Sequence, residues 1–191
     1  MITEASTDED RDQVRDFLAQ HIADIEERAV PRVDVDHLYR PTIPMIRGQD
    51  RAIRAAALAC LPMEAVGIAT AVHNGLRLPA AQTGRARVAN RIRQLDLIAV
   101  RENERKAGLG AALVRYIEEA IRSDDVRVWF GCVTAESNVD QLRAFYTSTG
   151  FSITPTGTRL PPLLGHEWRT SLHDGEDVAF FFYKTLKRPP G

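Results

Sequence analysis

At 191 residues the chain is long enough for one compact domain with a full core and too short for two of ordinary size. Hydrophobic residues at 44% and charged residues at 27% exclude disordered, collagen-like and coiled-coil classes. With 25 Lys+Arg against 26 Asp+Glu, no whole-chain field draws nucleic acid or an anionic membrane. No apolar run approaches the ~18 residues of a membrane span, and Met1–Asp12 is polar and acidic, unlike a secretory leader, so the expected location is the cytoplasm. Cys60 and Cys132 lie in apolar stretches and read as reduced core thiols.

In chain order, Met1–Glu4 reads as a short strand. Ser6 followed by Glu9 has capping-box spacing, and Asp8, Glu9 and Asp10 place negative charge where a helix dipole favours it. Val14, Phe17, Leu18, Ile22 and Ile25 recur at helical spacing and predict a first helix from about Thr7 to Glu27. Pro31 and Pro41 bracket a short helix near Val35–Tyr39. Thr42–Arg47, a turn at Gly48-Gln49-Asp50 and Ile53–Cys60 predict a β-hairpin. Pro62–Asn90 has the weakest pattern. Structureless loops of that length are uncommon, so Glu64–Val72 is read as helical or extended. Arg91–Val100 is a strand, and Gly108–Arg122 a helix with Leu109, Leu113, Ile117, Ala120 and Ile121 on one side. Val126, Val128, Phe130 and Cys132 alternate as in a strand. Val139–Thr147 is a helix closed by Gly150, and Phe151–Thr154 and Val178–Thr185 are the last strands. The order β-α-(α)-β-β-β-α-β-α-β-β is that of an α/β domain with a mixed sheet.

The most informative stretch runs from Leu95 to Leu113, where a strand enters a short loop that opens a helix at R-x-x-G-x-G. Free N–H groups at a helix N-terminus make an anion site, and glycines let a phosphate approach the backbone. The dinucleotide fingerprint G-x-G-x-x-G and the P-loop G-x-x-x-x-G-K-[ST] do not fit the stretch. A glycine-bearing helix start without a ligand is the plain alternative.

The segment L-D-L-I-A-V-R-E-N-E-R-K-A-G-L-G-A-A-L resembles the acyl-coenzyme A segment of the GNAT superfamily of N-acetyltransferases, whose motif is Q/R-x-x-G-x-G/A after the fourth strand. Asn138 and the run Ala144-Phe145-Tyr146-Thr147-Ser148-Thr149-Gly150-Phe151 are similar to that family's second motif, and D-V-A-F-F-F-Y-K-T-L to its last strand. The close resemblance covers about Leu95–Phe151. It implies an α/β (α+β) fold: a single N-acetyltransferase domain over 1–191, with a mixed, mostly antiparallel central sheet flanked by helices. The coenzyme-binding core would occupy about 91–151 and a variable segment about 61–90. It further implies acetyl-CoA as co-substrate and no metal. The pyrophosphate would lie on backbone N–H groups of Lys106, Ala107, Gly108, Leu109, Gly110 and Ala111, and the pantetheine would pair with the backbone of Ile98, Ala99 and Val100. Arg105 and Lys106 add charge near phosphate, although charged side chains at a loop mouth are commonly just solvated.

Acyl transfer from a thioester releases a thiolate, and a free thiol has a pKa near 8.5, so a proton donor helps the sulfur leave. Tyr146 occupies the position that resembles the family's general acid; on its own it reads as an aromatic filling the sheet–helix seam beside Phe145. Asn138 resembles the coenzyme-contacting asparagine. It stands eight residues before Tyr146 where seven is commonest, a rotation of about 100° on a helix, and it reads equally as an N-cap. For the general base, Asp96 and Glu136 are candidates, with His73 in the variable segment a third, each against the reading of a solvated rim charge. His37 and His166 lack metal-site spacing.

The acceptor is expected to be a primary amine of a small molecule or protein. Arg77, Arg85, Arg87, Arg91, Arg93, Arg101 and Arg105 would, if clustered, hold the 3′-phosphate, an acidic substrate or RNA; the plainer reading is a solvated basic face. A membrane partner is not expected, nucleic acid is disfavoured by the charge balance, and a homodimer through an edge strand is compatible with the fold. A non-catalytic acyl-CoA-binding module on the same fold is the alternative to an enzyme.

Overall fold

Thr7, not Ser6, opens the first helix: its hydroxyl accepts the Asp10 N–H at 3.1 Å, one position later than the capping box predicted. The computed structural model describes residues 1–23, 25–134, 138–169 and 178–187. Its helices are α1 Asp8–Ala19, α2 Asp36–Tyr39, α3 Met63–His73, α4 Ala80–Ala86, α5 Leu109–Ser123 and α6 Val139–Ser148. The strands are β1 Ile2–Glu4, β2 Pro44–Arg47, β3 Ile53–Cys60, β4 Ile92–Val100, β5 Val128–Thr134, β6 Ser152–Ile153 and β7 Val178–Thr185. They form one mixed sheet in the order β1-β2-β3-β4-β5-β7-β6. The chain divides into two compact units, Met1–Cys60 with Leu95–Ile121, and Leu61–Gln94 with Arg122–Gly191.

In the first unit, β1, β2 and β3 form an antiparallel meander, with Ile2 opposite Ile46 and Met45 opposite Ala56. The apolar stripe of α1 (Val14, Phe17, Leu18) closes over Met45, Ala56, Leu58 and Ala99. The long helix predicted to Glu27 ends at Ala19 instead. The N–H groups of His21 and Ile22 both turn back to the Leu18 carbonyl, at 3.0 and 2.9 Å. Ile22 and Ile25 still pack on this core, so their spacing carried a burial signal from turns rather than from helix. Arg11, 5% exposed, ties α1 to α2 through a bidentate pair with Asp36 at 2.6 and 2.8 Å and through the carbonyls of Ala5 and Pro31.

In the second unit, β5 and β7 are antiparallel over seven registered pairs, from Val128–Thr185 to Thr134–Val178. Ser152 and Ile153 of β6 add to the other side of β7. The start of β4 runs parallel to β5, with Ile92, Arg93 and Gln94 opposite Val128, Trp129 and Phe130. The weakly patterned stretch after Pro62 holds two helices rather than one, each preceded by a proline at its N-cap. The extra helix, α4, has no apolar stripe to announce it. It is held by an Arg85–Glu64 ion pair to α3 and by His166, whose Cε1 would lie 3.0 Å from a Cβ on Gly84. Trp168 is buried and donates its indole N–H to the Leu163 carbonyl. Cys60 is buried, Cys132 is half-buried, and neither forms a disulfide.

Candidate functional site

The loop between β4 and α5 lies wholly in the first unit and is built from two successive turns. A 3-10 turn, Glu102–Glu104, is closed by Glu104 N–H to the Arg101 carbonyl (2.9 Å) and Arg105 N–H to the Glu102 carbonyl (3.2 Å). Next, Glu104–Ala107 forms a β-turn closed by Ala107 N–H to the Glu104 carbonyl at 3.3 Å. Arg105 has φ −60° and ψ 150°, and Lys106 has φ +68°, the pattern of a type II turn, whose third residue needs a left-handed φ. Gly108 follows at φ +80° with open space where a side chain would stand.

The first hydrogen bond of α5 runs from Ala112 N–H to the Gly108 carbonyl at 3.0 Å. The N–H of Ala107 is therefore engaged inside the turn. Those of Lys106, Gly108, Leu109, Gly110 and Ala111 face no acceptor among the described residues. Five open donors on an exposed loop, at the positive end of a 15-residue helix, form a cradle suited to a phosphate or diphosphate. Arg105 and Lys106 are exposed beside it. In the same unit, Ile98 and Val100 are half-buried and Ala99 is buried on β4, and Asp96 is half-buried on that strand.

Tyr146 lies in the second unit, on α6, and is only 4% exposed. Its ring stacks on Phe182 at 3.7 Å between centroids and 13° between planes. Phe145, Phe151 and Phe180 meet it edge-on at 5.1, 5.8 and 6.4 Å. Burial, with the nearby Cys132 thiol second, pushes the phenol well above its usual range, so the hydroxyl stays protonated. Asn138 occupies the N-cap position of α6, but its side chain makes no cap hydrogen bond; its Oδ1 is buried without a partner among the described residues. Glu136 lies outside the described residues.

The family model for the acetyltransferase (GNAT) domain matches residues 65–153. Residues 65–153 thus match a GNAT acetyltransferase domain. Solved GNAT structures share the chain's fold over nearly their whole length. An acetyltransferase of the GNAT family from Staphylococcus aureus Mu50 superposes with a TM-score of 0.63 at 13% identity, over 98% of this chain and 99% of that one. The ribosomal-protein-S18-alanine N-acetyltransferase of Escherichia coli gives 0.57 at 18% identity, over 100% and 97%. An aminoglycoside 6′-N-acetyltransferase complexed with coenzyme A gives 0.57 at 15% identity, over 100% and 99%. No curated protein sequence matches the chain.

Around this GNAT domain the remaining candidates disperse. His73 ends α3 and is exposed; His37 sits in α2; among the described residues no group of three His, Cys, Asp or Glu is placed to hold a metal. Three of the arginines in and after the variable segment meet acids locally: Arg85 with Glu64, Arg91 with Asp125 (3.7 Å) and the fully buried Arg93 with Asp124 (3.6 Å). No helix among the described residues is long and apolar enough to cross a membrane. One contact at the GNAT cradle had no local sequence signal. Arg54 of β3 forms a two-pronged ion pair with Glu104, 50 positions away, and its hydrogen bonds, aided by its positive charge, hold that carboxyl below the usual carboxylate range.

Proposed function

We propose that this chain moves an acetyl group from acetyl-CoA to a primary amine, of a small molecule or a protein, by direct attack of the amine on the thioester, with residues 1–191 acting as a single N-acetyltransferase domain. The observation that carries the reading is the set of five N–H groups at the start of α5 that face no acceptor among the described residues, which fits a diphosphate and needs no side chain to do so. When bound, acetyl-CoA supplies an activated acyl carbonyl. Lys106, Gly108, Leu109, Gly110 and Ala111 hold its diphosphate, with Ala107 completing the loop. Arg105 and Lys106 add charge, and Ile98, Ala99 and Val100 offer backbone groups to the pantetheine amides.

In this reading Tyr146 gives its phenolic proton to the departing thiolate, and Asn138, whose Oδ1 lacks a partner among the described residues, contacts the coenzyme. Asp96, or Glu136, takes the proton of the attacking amine. The reaction needs no metal, and the protein works in the cytoplasm, as a monomer or homodimer. A second reading, a non-catalytic acyl-CoA-binding module, draws on the depth at which Tyr146 is packed.

Thermal unfolding with and without acetyl-CoA tests the cradle, beside a Gly110→Asp variant that puts a carboxylate into it. A ligand at about 100 times its Kd adds roughly 2.7 kcal/mol. For a domain of this size that is a rise in Tm of about 5–10 °C. The expected result is that rise in the parent and none in the variant. No rise in either at millimolar ligand would sink the reading.

A further inference from the structure

Arg54 grips the cradle loop twice. Its backbone carbonyl accepts the Arg101 N–H at 2.9 Å, and its guanidinium meets both carboxylate oxygens of Glu104, with Nε to Oε1 at 2.6 Å. Such a fork-to-fork pair fixes orientation as well as distance. The stem of Arg54 runs past the β2–β3 turn. At Gly48, in the β2–β3 turn, a Cβ would stand 3.4 Å from the Arg54 Cδ and 3.7 Å from its Cγ. Arg54 is thus a strut from the sheet to the loop.

What it holds is the first residue of the turn that shapes the cradle. Glu104 donates its N–H backward to Arg101 and accepts from Ala107 forward, and Lys106 and Gly108 then take left-handed φ values of +68° and +80°. A left-handed lysine persists only where its surroundings enforce it. The direction of the open N–H groups depends on those two residues, so a shift at Glu104 passes straight into the donors.

The charge balance makes the arrangement diagnostic. A carboxylate four residues before Gly108, the first cradle glycine, repels a diphosphate, so field effects alone favour losing it. We propose that the Arg54–Glu104 ion pair is a positioning device for the phosphate cradle, so that tight binding of the coenzyme's diphosphate requires the Glu104 carboxylate despite its charge. The inference rests on the coenzyme reading above.

The test is calorimetric titration with coenzyme A of the parent, Glu104→Gln, Arg54→Lys and the double variant Arg54→Lys/Glu104→Gln, with ligand-free melting of each. Positioning predicts that Glu104→Gln raises Kd about tenfold, since small misplacements of binding groups are costly. Its ligand-free Tm should stay within about 2 °C of the parent, because partly exposed ion pairs add little stability. Arg54→Lys keeps the charge but loses the fork, and should lose affinity to the same degree. The double variant should lose no more than the worse single change. A Glu104→Gln protein that binds coenzyme A as tightly as the parent, or more tightly, overturns the inference and leaves the coenzyme reading standing. A parent that does not bind coenzyme A at millimolar concentration overturns both. Should Glu104→Gln fail to fold, Arg54→Lys decides alone: unchanged Kd overturns the proposal.

Discussion

The loop into α5 is exposed from Arg105 to Gly108, holds two left-handed residues and, with the first turn of the helix, leaves five N–H groups without acceptors among the described residues. Around Tyr146 four phenylalanines surround a ring that is 4% exposed. One region keeps hydrogen-bonding capacity in reserve and tolerates strain; the other gains stability from packing. A binding surface has to keep its donors unsatisfied, whereas a phenol is protonated at neutral pH even in water, and burial only holds it more firmly so. The two regions should therefore fail differently when altered.

Tyr146→Phe should give the largest effect. The ring and its stacking on Phe182 are kept, so Tm should hold to within about 2–4 °C, the shift that 1 kcal/mol produces in a protein of this size. Turnover should fall at least about 100-fold if the phenol donates the proton. Equal rates in the two proteins would turn the comparison around and make this region purely structural.

At the cradle, Lys106→Gly relieves the positive φ and should stabilise the fold by about 0.5–1 kcal/mol, the left-handed penalty less the entropy of glycine in the unfolded chain. A melting temperature about 2 °C higher checks it. A lower Tm would mean that the lysine side chain contributes more than its backbone costs.

The smallest effect concerns Glu4, whose carboxylate accepts the Ile43 N–H and the Tyr116 hydroxyl. Burial raises its pKa above 4.5, against the opposing pull of those bonds and of Arg11. The stability linked to this raised value is fully present below the unfolded pKa and is lost as pH rises through the folded one. Glu4→Gln should therefore melt slightly higher than the parent at pH 7, with the gap closing toward pH 4. A gap that widens on acidification would refute the assignment.

Local chemistry made much of the fold legible. The β2–β3 hairpin announced itself by its turn residues, and α5 and α6 by a glycine before one and a glycine after the other. The R-x-x-G-x-G loop could be read because an anion cradle is assembled from consecutive backbone groups. Two elements misled for opposite reasons. Ile22 and Ile25 have helical spacing but are half-buried from irregular backbone, and α4 is a helix without an apolar stripe. In both, tertiary contacts outweighed the periodic pattern.

The sequence alone was enough for whatever depends on neighbours along the chain: the strands, the strong helices and the glycine-bearing loop that opens α5. Only the tertiary structure decided which N–H groups of the cradle remain open and how deeply Tyr146 is packed. It alone joined Arg54 to Glu104. Each of these depends on groups that the chain brings together from far apart, and no local spacing records a contact across 50 residues.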